Sequence, residues 1–169
     1  MSVSRSMPDH SARRPPHVVL ERTPYFVSTR TTDSRRIFEG AVAAAAQQQL
    51  LSDRERYGFR LLAYVFMPDH AHFVIVPADG RTISATMRVI KGGIAHRINE
   101  ITGSKGACWQ EGFFDKVAAT LDQLNAYIQY IHNNPVKASL TPRAEDYLYS
   151  SASGDCMANY QEFLNVPCV

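Results

Sequence analysis

An α+β fold is predicted for this chain by the order of its elements and by two kinds of hydrophobic spacing. Short apolar or aromatic segments, typical of strands, occur near residues 24–30, 59–66, 70–77 and 108–120. Longer segments with apolar residues at helical spacing occur near residues 35–52, 82–103 and 121–133. The order strand, helix, strand, strand, helix, strand, helix predicts a ferredoxin-like antiparallel sheet with helices on one face, plus a C-terminal helix.

Local signals set the expected ends of the helices. Asp33 or Ser34 is placed to cap a first helix that starts near Arg35. Two adjacent glycines at 92–93 interrupt the second helical segment and weaken the case for an unbroken helix. Pro135 is expected to end the last helix, because the residue before a proline disfavours helical geometry.

Length and composition indicate one soluble globular domain. The chain has 169 residues, 45% of them hydrophobic and 20% charged, which suffices for one proper core and is ordinary for a globular protein. We expect a flexible basic tail over residues 1–22, one domain over 23–155 and a C-terminal tail over 156–169. There is no apolar run long enough for a membrane helix and no secretory signal at the N-terminus, so the expected compartment is the cytoplasm.

Charge is distributed unevenly, although the net charge is only +2. Basic residues predominate in the first 36 positions and between 81 and 105, whereas acidic residues predominate after 141. Such a distribution permits a basic face for a phosphate backbone, but a solvated helix face has the same composition. The candidate contacts of the second basic cluster are Arg81, Arg88, Lys91, Arg97 and Lys105.

Two histidines lie two positions apart in the segment 67–73, which reads MPDHAHF. Because side chains alternate along a strand, His70 and His72 are expected to point to the same face of the sheet. Neutral imidazole is the commonest metal-binding side chain, and two held this close favour chelation. The pair predicts either a metal site or two half-exposed strand histidines.

A tyrosine and an asparagine in the last helical segment provide the groups that such a site lacks. Tyr130 and Asn134 are four residues apart and would share a helix face, unless Pro135 distorts the spacing. The amide oxygen of Asn134 is a candidate third ligand. A phenol near a divalent cation is a stronger nucleophile than a free one.

These motifs resemble those of the single-tyrosine HUH transposases, and within them the REP-associated tyrosine transposases. Segment 67–73 matches the Met-Pro-x-His-x-His pattern of that branch, and segment 130–138, YIHNNPVKA, matches its Tyr-Ile-x-x-Asn-Pro-Val-Arg/Lys-Ala pattern. Segment 109–115, WQEGFFD, is similar to its Trp-Gln stretch, and segment 147–151, YLYSS, to its aromatic-Ser-Ser signature. The resemblance covers about residues 24–152 and departs from the pattern at Ala71, where the family has a bulky residue.

The resemblance implies a metal-dependent enzyme that cleaves and rejoins hairpin-forming single-stranded DNA. Tyr130, on a C-terminal catalytic helix, would form a 5′-phosphotyrosine intermediate, and His70, His72 and Asn134 would hold Mg²⁺ or Mn²⁺. The expected partner is a single-stranded DNA hairpin, with a monomer favoured over a homodimer and no membrane. The expected DNA contacts are the five basic residues of the 81–105 cluster together with Trp109.

Several alternatives stay open on the sequence alone. Tyr127 lies one turn before Tyr130, and only the motif register favours the latter. Trp109 suits a core as well as base stacking, and Asp115 suits a solvated carboxylate as well as a hydrogen-bond partner of a metal-bound histidine. The chain could also be a non-catalytic module, derived from such a transposase, that binds palindromic DNA, or a metal phosphohydrolase with a water nucleophile.

Overall fold

The computed structural model describes residues 22–154, and the predicted tails at 1–21 and 155–169 lie outside the described residues. Four strands and three helices make up this part of the chain: β1 (Tyr25–Arg30), α1 (Gly40–Tyr57), β2 (Arg60–Met67), β3 (His70–Val76), α2 (Ile83–Thr102), β4 (Phe114–Val117) and α3 (Leu121–Lys137). The strands form one antiparallel sheet in the order β2-β3-β1-β4. None of the helices between residues 22 and 154 is long and apolar enough to cross a membrane.

The bounds of three elements differ from the sequence prediction, and the first of them, α1, differs at both ends. The first helix begins at Gly40 rather than near Arg35, because residues 31–38 are held against the β2–β3 turn. There Thr31 N–H donates to Asp69 O at 3.0 Å and Phe38 N–H donates to Pro68 O at 3.0 Å. Each backbone N–H has only one proton to donate, so N–H groups that are bonded to the turn cannot also form the hydrogen bonds of a helix.

The fourth strand is also much shorter than the predicted 108–120 segment. The first half of the predicted segment lies beside the C-terminal end of β1. There Trp109 forms an isolated bridge with Thr31, and Gln110 N–H donates to Arg30 O at 2.9 Å. The structured part of this segment therefore extends the β1 edge before β4 begins.

The last helix does not end at Asn133. It continues through Pro135 to Lys137, and Ala138 N–H still donates to Asn134 O at 3.0 Å. Pro135 and Ile131 are both buried, and this packing keeps the last turn helical although proline supplies no N–H. Tyr130 and Asn134 therefore belong to one continuous helix.

One face of the sheet carries α1 and α2 over a closed apolar core. Side chains from three strands point into it, among them Val27, Phe66, Phe73 and Ile75, and they pack on Met87, Ile90 and Ile94 of α2. The two helices approach closely at Gly93, where an added Cβ would lie 2.4 Å from Oδ2 of Asp53. This close approach explains the glycine in an unbroken α2, since only glycine leaves room for the Asp53 carboxylate.

The opposite face of the sheet carries α3. A ferredoxin-like sheet with all its helices on one face would leave this face uncovered. Helix α3 packs mainly on β2 and β3, with Leu124 and Ile131 over Phe26, Val65 and Val74. The β1–β4 half of the same face is less covered, and it includes the exposed Phe114. The two histidines of β3 point to this half-covered face.

Candidate active site

The two histidines of β3 lie side by side on the face that carries α3. Their ring centroids are 4.8 Å apart, as the alternation of side chains along a strand predicts. Ala71 between them points into the closed core and is fully buried against the other face. The side chain of Ala71 therefore packs in the core under α1 and α2, and it does not line the face that carries the histidines.

Asp69 orients His70 from the β2–β3 turn. The Oδ1 atom of Asp69 lies 2.6 Å from Nδ1 of His70, and since a carboxylate only accepts, Nδ1–H is the donor. Arg30 lies 3.5 Å from the other carboxylate oxygen. Burial alone would raise the pKa of Asp69, but the hydrogen bond with His70 and the charges of His70 and Arg30 lower it. Because Nδ1 carries the proton, the Nε2 atom of His70 keeps its lone pair and can act as a metal ligand.

His72 is kept in the neutral state that metal binding requires. The residue is only 5% exposed, and its Nδ1 atom is buried without a hydrogen-bond partner. Burial, followed by the charges of His70 and Arg30, lowers the pKa of His72 to about 3. A buried imidazole with an unsatisfied nitrogen is what a ligand position offers, because an unpaired buried polar atom is otherwise unfavourable.

Tyr130 is the tyrosine that reaches the histidines with an exposed ring. Its centroid lies 5.4 Å from that of His72, and the residue is 41% exposed. Both tyrosine rings contact Phe26, Tyr130 by its edge at 5.7 Å and Tyr127 by stacking at 5.0 Å between ring centroids, but Tyr127 is half-buried. The structure thus separates a packing tyrosine from a solvent-facing one. Nζ of Lys137 lies 5.4 Å from the centre of the Tyr130 ring and adds a positive charge beside it.

Asn134 lies one helical turn after Tyr130 and is half-buried, on the same side of α3. Among the residues from 22 to 154, no group of three or more His, Cys, Asp and Glu forms a metal site. A cation bound at the histidine pair would therefore need an oxygen ligand of another type. An amide oxygen such as that of Asn134 is of the hard kind that Mg²⁺ and Mn²⁺ accept.

The position of α3 depends on the C-terminal segment. Nε2 of His132 lies 2.9 Å from Oγ of Ser151, and the same hydroxyl accepts from Tyr64 N–H at 3.0 Å. Further along, Phe66 N–H donates to Tyr149 O at 2.9 Å, so residues 147–151 cover the outer edge of β2. The aromatic-Ser-Ser motif thus has a structural role in holding the helix of Tyr130 against the sheet.

The predicted DNA contacts do not lie on the face of the histidines. Trp109 is only 7% exposed and its Nε1–H donates to Lys91 O at 3.1 Å. The ammonium of Lys91 donates to Gln110 O at 2.8 Å and also to Gly112 O. Both side chains hold the 109–112 segment in place, so Trp109 is a core residue here and its ring is not exposed for stacking.

The remaining basic residues of the 81–105 cluster lie on α2 or close to its two ends, on the side of the sheet opposite the histidines. Arg81 stacks on Tyr57, with Cζ 5.6 Å from the ring centre, and Arg97 pairs with Glu100 at 2.7 Å. Arg88 and Lys105 are exposed.

Asp115 lies on the opposite sheet face from the histidines. It is paired with Val27 of β1, and Val27 in turn is paired with Phe73, whose side chain is in the closed core. Directly opposed residues share a face. The carboxylate that contacts a histidine is that of Asp69, next to His70 in sequence. The sequence signal for Asp69 was its position in the turn of a hairpin that ends in the histidine strand.

Three basic residues on the histidine side of the sheet were not among the predicted DNA contacts. Arg30 is paired with His70 across β1 and β3, and Lys116 is paired with Phe26, so both point to the sheet face that carries the histidines. Lys137 follows from the continuation of α3. Each depends on a strand register or a helix end that the sequence alone predicted incorrectly or left open.

The half-covered antiparallel sheet, with a tyrosine beside two histidines, is the arrangement that the resemblance to single-tyrosine transposases implies. The comparison with protein families gives the same class. The family model described as "Transposase IS200 like" matches residues 21–134. This match spans more than half of the chain, and the chain therefore belongs to the IS200-like transposase family. The resemblance drawn from the four motifs is confirmed.

Two solved structures share the fold. A REP-associated tyrosine transposase bound to a REP hairpin has a TM-score of 0.69 and 18% identity, with 82% of each chain covered. A putative transposase from Deinococcus radiodurans has a TM-score of 0.52 and 19% identity, with 72% of this chain and 95% of the other covered. The predicted α+β fold class is thereby confirmed. A search of curated proteins found no significant match.

Proposed function

We propose that this chain is a transposase that cleaves and rejoins single-stranded, hairpin-forming DNA through a covalent bond to Tyr130. The observation that carries the proposal is the exposed Tyr130 ring, 5.4 Å from His72 and on the same face as His70. Membership of a transposase family supports the substrate class, and the hairpin is proposed because a structural relative is bound to one.

In the proposed reaction, the Tyr130 hydroxyl attacks the phosphorus of a phosphodiester. A bond forms between Oη and phosphorus while the bond to the 3′ oxygen breaks, and the phenol proton is lost as the 3′ oxygen gains one. The products are a 5′-phosphotyrosine and a free 3′-hydroxyl. Attack by a 3′-hydroxyl on the phosphotyrosine reverses the sequence and rejoins DNA, so no external energy source is required.

The residues present fit a divalent cation such as Mg²⁺ or Mn²⁺. Nε2 of His70, the neutral His72 and the amide oxygen of Asn134 would hold it, and Asp69 would keep His70 in the correct tautomer. A bound cation supplies charge neutralisation at the scissile phosphate. Arg30 and Lys137 add fixed positive charge at the same face, which favours the approach of a phosphate and stabilises the phenolate.

We also propose that one copy of the chain is sufficient for the reaction. The proposal is supported by the proximity of Tyr130 and both histidines within one chain. A mixture of Tyr130→Phe and His72→Ala proteins tests this point. If each copy works alone, the mixture is as inactive as its components, whereas recovered cleavage would indicate that copies exchange tyrosines.

The central test is covalent capture of DNA. Wild type, Tyr130→Phe and the matched variant Tyr127→Phe are incubated with a labelled pool of single-stranded hairpins and Mn²⁺, and the products are separated under denaturing conditions. We expect a denaturant-resistant protein–DNA band with wild type and Tyr127→Phe and none with Tyr130→Phe. Cleavage that persists in Tyr130→Phe without an adduct would indicate a hydrolase. Hairpin binding with no cleavage in any variant would indicate a binding module.

A further inference from the structure

The sheet face that carries the histidines, which is the reactive face of the proposed function, continues onto β1 and β4. We refer to this stretch, where a small residue lies between two rings, as the groove. The strand registers place Phe114, Ser28 and His72 in one row across β4, β1 and β3, with all three side chains on the same face. Ser28 is small and half-buried, so it forms a low floor between two rings. Phe114 stands on one side of this floor, and His72 with Tyr130 above it stands on the other.

The outer wall of the groove is an exposed aromatic ring beside a lysine. Phe114 is 42% exposed, and Nζ of Lys116 lies 5.5 Å from its ring centre. Arg30, paired with His70 in the next row, is also exposed. An aromatic platform with adjacent cations is the combination that proteins use for unpaired nucleotides, since a base stacks and its phosphate is neutralised.

We propose that Phe114 is a stacking platform for one unpaired DNA base near the reacting phosphate, with Lys116 on the phosphate of that nucleotide. This inference rests on the proposed function and adds to it a subsite for the single strand that flanks the hairpin stem. Phe114 and His72 are separated by two β-strand spacings, roughly 10 Å. A single DNA strand can span this distance between the groove and Tyr130. Bases inside a paired stem cannot use the platform, because both of their faces are already stacked on neighbouring bases.

The test compares two DNA probes in the non-cleaving Tyr130→Phe background. One is a stem-loop with single-stranded thymidine flanks, and the other has the same stem with abasic flanks, which keep the phosphates and lack the bases. Binding is measured by fluorescence anisotropy for the parent protein, Phe114→Ala, Phe114→Tyr and the control Ile101→Ala. Ile101 is 41% exposed, which matches Phe114, but it lies on α2 on the other side of the sheet.

We expect Phe114→Ala to weaken binding of the thymidine-flanked probe about 5- to 100-fold, the range for loss of one stacked base, with no change for the abasic probe. Phe114→Tyr and Ile101→Ala should bind both probes like the parent. Equal weakening on both probes, or none on either, overturns the inference. A parent protein that binds neither probe and a wild type that forms no covalent adduct would overturn the proposed function itself, so the two failures are distinguishable.

Lys116 has a separate signature in the same experiment. Lys116→Gln should reduce the salt dependence of binding, with the slope of log K against log salt falling by about 0.7, as for one lost single-strand phosphate contact. The preference for thymidine over abasic flanks should remain. An unchanged slope would remove Lys116 from the subsite.

Cross-linking tests the position of Phe114 directly. Cross-linking of 5-iodouracil flanks, mapped by mass spectrometry, is expected to label the peptide that contains Phe114, and labelling confined to other peptides would overturn the placement.

Discussion

The two faces of the sheet are built for different purposes. The face under α1 and α2 is closed, with the fully buried Phe73 and Ile75 packed against two helices. The face under α3 is only half covered, and it keeps an unpaired buried nitrogen on His72 beside an exposed Tyr130. One side of the strands thus holds the closed core and the other carries the proposed site, so we expect residues next to each other in sequence to have different roles.

The sharpest test of this division uses two adjacent residues of β3. Phe73→Ala should lower the free energy of unfolding by about 3–5 kcal/mol, because it leaves a cavity in the closed core. His72→Ala should abolish DNA strand transfer at a cost of about 1 kcal/mol or less, since lost packing is offset by removal of an unpaired buried nitrogen. Chemical denaturation and the covalent-capture assay measure the two effects. A large stability loss in His72→Ala would break the comparison.

On the reactive face, Asp69 is expected to act through His70. Asp69→Ala removes the 2.6 Å hydrogen bond and should weaken Mn²⁺ binding about 10- to 100-fold, a typical effect of losing the partner of a metal-bound histidine. Calorimetric titration with Mn²⁺ measures this change. Asp79→Ala, in the loop after the other end of β3, serves as the control and should bind the metal like wild type. Equal affinities in all three proteins would show that Asp69 does not orient a ligand.

On the closed face, the packing of α1 on α2 can be tested with neighbouring glycines. Gly93→Ala should destabilise the protein by about 1–3 kcal/mol, because its Cβ would meet the Asp53 carboxylate. Gly92→Ala meets nothing within 4 Å and should be neutral or stabilising by up to about 1 kcal/mol. Thermal melts of the pair check this. Similar melting temperatures for the two variants would mean that the helices can separate at no cost.

The smallest effect concerns the pH dependence of the same contact. Burial raises the pKa of Asp53, although the hydrogen bond from Gln49 and the charge of Arg56 partly oppose it. A carboxyl whose pKa is raised on folding binds its proton more tightly in the folded chain, so its contribution to stability is lost as the pH rises from about 4. Asp53→Asn should therefore be more stable than wild type at pH 7, and the difference should shrink as the pH falls toward 4. Denaturation at several pH values tests the sign.

Local sequence patterns predicted the elements and the residue types of the candidate site, but they predicted less well which other residues contact those site residues. Alternation along one strand was sufficient for the pairing of His70 with His72, because it depends only on strand geometry. Asp115, the sequence candidate for a hydrogen-bond partner of a metal-bound histidine, lies on the other face of the sheet, because the face of a residue in β4 depends on its register with β1. Such a register is decided by packing between segments that are distant in the chain.

By itself, the sequence determined the α+β class, the order of the elements, the histidine pair and the motif spacing that indicates a transposase family. The tertiary structure decided which carboxylate contacts His70, that α3 continues through Pro135, and that Trp109 is buried while Phe114 is exposed. The physical reason is the range of the interactions. Periodicity and turn chemistry act over a few residues, whereas burial, strand register and charge proximity arise only when distant segments pack together.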